Sequence, residues 1–187
     1  MNRSKDPGTL VYRSPTLQIG KYKSMLIENT EVYTGADADF GKTSEADKQR
    51  LANKVTEDFT AELTKRNYPL TAQPGPDVVR LRLKLTGVQS SQSVAATALR
   101  VTPLGLGLSA VKEAEGKSAA FVGSVTIAGE MIDAQSGEIL GAFVATESPI
   151  ALDVTSGLGG LRAAELGIER GADNFADALD RAVGRKH

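Results

Sequence analysis

The amino-acid sequence predicts an α+β domain: a mainly antiparallel sheet of about four or five strands with two helices packed on one face. Val79, Leu81, Leu83 and Leu85 alternate with Arg80, Arg82, Lys84 and Thr86, the period of a strand with one apolar and one charged face. Leu51, Ala52, Val55, Phe59 and Leu63 recur at spacings of three and four, and so do Leu161, Ala164, Ile168, Ala172, Phe175, Leu179 and Val183 near the C-terminus. A sheet whose alternate side chains are charged cannot be covered on both faces. Both helices are therefore expected on one side, and a doubly wound parallel sheet is disfavoured.

Along the chain, residues 1–15 are polar and carry Pro7, Gly8 and Pro15, which suits a tether or a short strand; Leu10-Val11-Tyr12 is its only segment fit to dock. Residues 16–184 then form a single α+β domain. Met25, Leu26, Ile27, Val32 and Tyr33 predict a strand. Ser44 opens a helix running to about Arg66, with Glu45 and Asp47 in the first turn and Lys65 and Arg66 at the end, as the helix dipole favours. Pro69, Pro74, Gly75 and Pro76 separate it from the alternating strand. Residues 90–118 mix small residues with Pro103, Gly105 and Gly107 and are expected to form a mobile excursion. Two β-prone runs from Ala120 to Thr146 flank Ala134-Gln135-Ser136-Gly137, a hairpin turn, with Phe121, Val125, Ile127 and Met131 on one buried face. Gly184 ends the last helix. Within that helix Ala163, Gly167 and Gly171 share a stripe, and close backbone packing is the natural use of such glycines.

Composition removes several chemistries. The chain of 187 residues has no cysteine, so disulfides and thiolate metal sites do not arise, and its one histidine is His187, so a Ser-His-Asp arrangement cannot be assembled. Lys plus Arg number 22 against 23 Asp plus Glu, which offers no broad field for nucleic acid. The segment Gly35 to Thr43, ending Gly41-Lys42-Thr43, resembles a phosphate-cradling loop, but five residues instead of four separate its glycines, and Asp37 and Asp39 would aim negative charge at a triphosphate. Read as a calcium loop, the same stretch places Lys48 where a bidentate glutamate is required. Gly105-Leu106-Gly107 and Gly157-Leu158-Gly159 lack the βαβ setting and acidic partner of a dinucleotide site. No catalytic residue, metal ligand or cofactor is expected.

Asp6-Pro7-Gly8-Thr9-Leu10-Val11-Tyr12-Arg13-Ser14-Pro15, followed by Tyr22-Lys23-Ser24-Met25-Leu26-Ile27-Glu28 and Val32, resembles the start of the bacterial lipoproteins grouped as domain of unknown function 3313. The resemblance continues through the amphipathic helix, the Pro74-Gly75-Pro76 loop, the strand Val78 to Val88, the hairpin and the last helix. It implies a periplasmic domain, anchored at the outer membrane in a full-length precursor by a lipid-bearing cysteine upstream of Met1. It carries no catalytic residues to transfer.

The expected function is a non-enzymatic interaction or structural module of the cell envelope. Its surface would be the helix-free sheet face, where Arg80, Arg82 and Lys84 line up, or the 90–118 segment, engaging an envelope protein or glycan. A cross-strand partner such as Glu130 would neutralise those cations. The alternative is a carrier of a small apolar or lipid-like ligand, with Leu104, Leu106 and Leu108 lining its mouth. Contact with a membrane is expected only through the lipid anchor. The glycine stripe also permits a homo-oligomer.

Overall fold

The structure, a computed structural model, describes residues 2–3, 8–90, 123–148 and 160–185. In chain order these form strands β1 (Asn2–Arg3), β2 (Thr9–Arg13), β3 (Ser24–Ile27) and β4 (Glu31–Val32), helix α1 (Glu45–Lys65), strands β5 (Val78–Ser90), β6 (Gly123–Asp133) and β7 (Ile139–Glu147), and helix α2 (Gly160–Val183). A short 3₁₀ turn, Ile19–Lys21, links β2 to β3.

The strands join one sheet in the order β1-β2-β7-β6-β5-β3, with β4 following β3 along the same side of β5. The α+β class holds, while the described residues form seven strands instead of four or five, and the sheet is mixed. β3 and β4 run parallel to β5, whereas the β5–β6, β6–β7, β7–β2 and β2–β1 pairs are antiparallel. The reason is the connection. A 21-residue helix lies between β4 and β5, and a helical crossover returns the chain in its starting direction. The run from Met25 to Tyr33 also divides, because Glu28-Asn29-Thr30 breaks the ladder between β3 and β4. Leu10-Val11-Tyr12 forms the middle of β2, paired to β7 through Leu10–Val144, Val11–Phe143 and Tyr12–Ala142.

Helix α1 begins where its chemistry says it should. Ser44 accepts from the Asp47 amide, and Glu45 and Asp47 occupy the first turn. At the other end Asn67 takes a left-handed φ of 58°, and the Tyr68 amide reaches back to the Leu63 carbonyl at 2.9 Å. This Schellman closure satisfies carbonyls the helix leaves over. Leu51, Ala52, Val55, Phe59 and Leu63 are all buried, against Val79, Leu81, Leu83 and Leu85 of β5. In α2 the residues Ala164, Ile168, Ala172, Ala176 and Leu179 join the same core. Both helices follow strands that point the same way, so they lie side by side in the same direction. Arg50 meets Glu165 at 3.4 Å and Lys54 meets Glu169 at 3.2 Å along their seam.

The hairpin turns through Ala134-Gln135-Ser136-Gly137, with Gly137 at a φ of 76° that side chains resist. Asp133 organises it, accepting from the Gln135 and Ser136 amides at 2.9 Å and from the Tyr22 hydroxyl at 2.8 Å. Those donors, the Ser136 amide first, hold its carboxyl well below the usual carboxylate range. Burial together with the Asp133 carboxylate pushes the Tyr22 phenol up to about 12.

Candidate binding groove

The helix-free face carries Arg80, Arg82 and Lys84 as the alternation requires, but each cation meets a carboxylate. Arg80 and Arg82 lie 3.5 and 3.2 Å from Glu28, Arg82 also lies 3.5 Å from Glu130, and Lys84 lies 3.6 Å from Glu31. Glu130 is the direct cross-strand neighbour of Arg82. Nor is the centre of that face wet. Ala128, Ile132, Ala142 and Val144 are buried, and Ile132 and Ala128 stand in register with Arg80 and Lys84, whose aliphatic stems can cover shorter neighbours. Leu104, Leu106 and Leu108, and all but Ser90 of the 90–118 segment, lie outside the described residues.

On the opposite face the helices leave part of the sheet uncovered. Beyond α2, on the side away from α1, a groove of about 120 Å³ opens between α2 and strands β2 and β7. Its walls are Val11, Leu17, Ile19, Met131, Phe143 and Phe175, every one of them half-buried. Small residues make the space: Gly141 and Ala145 on β7, and Gly171, Ala178 and Ala182 on α2. Phe175 stacks obliquely on Phe143 and on Phe59, with ring centres 5.4 Å apart in both pairs. A second hollow of about 290 Å³, lined by Tyr22, Met25, Tyr68 and Val183 among others, shares Ile19 and Leu179 with the first. The two therefore adjoin along α2.

Among the described residues the charged groups lining the apolar groove are Glu147 and Arg13, at its two ends. At one end Glu147 is buried and accepts from Asn174 at 3.0 Å, with the Arg170 guanidinium 3.8 Å away. At the other is Arg13, which ends β2 and is exposed. In register Arg13 faces Gly141 and Val11 faces Phe143, so Arg13 and Val11 share the groove side of the sheet.

Other charged clusters serve the fold. Arg66, at the end of α1, donates to Glu62, Asp173, Asp177 and Asp180, and Asp180 also accepts from the Tyr68 hydroxyl at 2.7 Å. Burial alone would lower the Arg66 pKa, yet the hydrogen bonds it donates to Asp180, Glu62 and Asp177 carry it above the ordinary value. In the Gly35 to Thr43 segment Asp37 accepts from Tyr33 and Asp39 from Gln89, at 2.8 and 2.7 Å. Among the described residues no group of three or more His, Cys, Asp or Glu side chains is arranged to hold a metal ion.

The sequence pattern shows the Ala163, Gly167 and Gly171 stripe, and its use is visible here: a methyl group on Gly167 would come within 2.7 Å of Val125 and 3.1 Å of the Glu147 carbonyl. The groove itself escapes the sequence, because its walls come from separate stretches. The available signal was the continuation of that stripe to Ala178 and Ala182.

Fold and site together define a small α+β domain with a one-sided helix layer and an apolar groove at its edge. The model of the family described as a protein of unknown function, DUF3313, matches residues 1–175, and the chain belongs to that family. No curated protein sequence matches the chain. Among solved structures, a DUF4136 family protein from Bacteroides thetaiotaomicron aligns over 92% of this chain and 97% of its own at 12% identity and a TM-score of 0.43. The PelC dodecamer from Paraburkholderia phytofirmans aligns over 87% of this chain and 92% of its own at 11% identity and a TM-score of 0.41. No helix among the described residues is long and apolar enough to cross a membrane.

Proposed function

We propose that this chain is a non-catalytic binding domain of the bacterial cell envelope that holds an apolar group of its partner in the groove between α2 and the β2–β7 edge. The supporting observation is the row of half-buried apolar side chains lining a groove whose Glu147 and Asn174 are bonded to each other. The envelope placement, in the periplasm and at the outer membrane in the lipid-bearing precursor, rests on the lipoprotein-like N-terminal stretch. The helix-free face is the weaker docking surface, since its cations are matched by Glu28, Glu31 and Glu130.

Size decides what such a groove can take. Ligand pockets that enclose a small molecule measure about 300–1,000 Å³, whereas an engineered cavity of about 150 Å³ takes one benzene ring. At about 120 Å³ the apolar groove accepts one ring or part of one hydrocarbon chain and cannot surround a bulky lipid. Six buried carbons at about 0.8 kcal/mol each contribute roughly 5 kcal/mol before ordering costs, a sub-millimolar affinity; micromolar binding needs a chain that reaches about ten carbons.

The test is binding of the environment-sensitive dye N-phenyl-1-naphthylamine to the purified chain. Fluorescence should rise on binding and be lost in Ala178→Phe, whose ring fills the groove from an exposed helix position, with the unfolding midpoint unchanged. Dye binding that survives this substitution, or no dye binding at all, refutes the proposal.

A further inference from the structure

We infer that the groove receives part of the hydrocarbon chain of a carboxylate of the fatty-acid class, about ten carbons long, with the Arg13 guanidinium taking its head; this rests on the groove being the binding surface. Arg13 is the one cation lining the groove among the described residues, and it has no ion-pair partner there. Neighbouring cations are engaged: Lys21 with Asp133, Lys23 with Asp77, and Arg185 with the Arg66 carbonyl and the Tyr68 ring. An unpaired guanidinium beside an apolar channel is the complement of an anionic amphiphile, since its fork matches a carboxylate in two parallel hydrogen bonds.

The lining also selects a hydrocarbon over a peptide. The β2 main chain bonds β7 on one edge and β1 on the other, and Asn174 is bonded to Glu147. A peptide laid in the groove would leave buried amides without partners, whereas an alkyl chain has none to satisfy. From Arg13 to Thr9 along β2 is roughly 13 Å at about 3.3 Å per residue, the extent of about ten extended methylenes. At the far end the Asn174 amide is already engaged by Glu147, which also has Arg170 beside it, so the head is directed to Arg13.

Dye displacement from the full chain at pH 8, below micelle-forming concentrations, reads the inference out with decanoate, decanol and decyltrimethylammonium as probes. Decanoate should displace at least about tenfold more strongly than decanol, equivalent to 1.4 kcal/mol, and the cation least. Arg13→Gln should bring the ratio of decanoate to decanol displacement down to about one, whatever its effect on the dye itself, and Arg13→Lys should retain part of the preference. Equal displacement by all three, or a preference surviving in Arg13→Gln, overturns the carboxylate assignment while the groove stands. Tightest binding of the cation overturns it in favour of the Glu147 end. Displacement by an apolar peptide but not by decanoate assigns the groove to a protein partner. Failure of the dye itself, or its indifference to Ala178→Phe, removes the groove and the inference together.

Discussion

Replacing Arg66 with methionine tests how the two helices are held together. The guanidinium is only 10% exposed and meets four carboxylates, but these differ in how they respond to its loss. Asp173 and Asp177 are 55% and 42% exposed and can rehydrate, so their pairing contributes little. Glu62 is 15% exposed and keeps Lys65 at 3.0 Å, whereas Asp180, at 2%, cannot rehydrate. Removing one partner of a buried pair leaves an uncompensated charge and costs about 3–5 kcal/mol. Because the exposed acids recover their hydration, the lower half of that range is expected, roughly 3–4 kcal/mol. For a chain of this length that is a fall in the unfolding midpoint of about 6–16 °C. Urea denaturation followed by far-ultraviolet circular dichroism measures it, and Arg66→Met combined with Asp180→Asn should recover part of the loss. A loss below about 1 kcal/mol, or no recovery in the double variant, would refute the account of Asp180 as the stranded charge.

Gly167→Ala should destabilise by about 1–3 kcal/mol, since its methyl group meets Val125 at 2.7 Å, whereas Gly171→Ala, with nothing nearer than 3.4 Å, should stabilise by up to about 1 kcal/mol. Thermal unfolding of the two variants should move in opposite directions, and movement of both the same way contradicts the close approach at Gly167. Asp133 has a folded pKa below its ordinary 3.8, so its contribution is present above that value and drains away as pH falls beneath it. Unfolding free energy measured from pH 5 down to pH 2 should decline, and the slope should be shallower in Asp133→Asn; parallel curves would show that the turn carboxylate is not the linked group.

The helices and the β5–β6–β7 meander were legible because each states its pattern within one stretch. α1 has its cap at Ser44, its stripe from Leu51 to Leu63 and basic residues at its end, and all of these lie where the periodicity places them. The hairpin is announced by the turn residues between two apolar runs. Strand direction is written less plainly. The alternation of β5 says that one of its faces is charged and says nothing about whether β3 runs with it or against it; the crossover through α1 decides that. β2 is also muted, because a five-residue strand at the margin needs only partial burial, and its residues are half-buried or exposed throughout. The charged face was legible in composition but not in state. Arg80, Arg82 and Lys84 look like a basic stripe along one strand, and only the neighbouring strands show Glu28, Glu31 and Glu130 beside them.

The groove follows from one helix stripe put to two uses. From Ala163 through Gly167 the stripe of α2 is bare enough for the helix to lie against β6 and β7, with no room at Gly167 even for a methyl group. Two turns further on the same side of the helix carries Phe175, whose ring sits against both Phe143 of β7 and Phe59 of α1. A ring of that size between helix and sheet acts as a spacer, and the residues after it on this side, Ala178 and Ala182, are too short to fill the distance it sets. Filling it would have been simple: leucine at either position would close the gap and add burial. The stripe keeps alanine there, and the strand across the gap ends in Arg13, which has no carboxylate partner among the described residues. An apolar channel whose mouth carries, among the described residues, one unmatched charge offers a place for a molecule built the same way, with the opposite sign at its head.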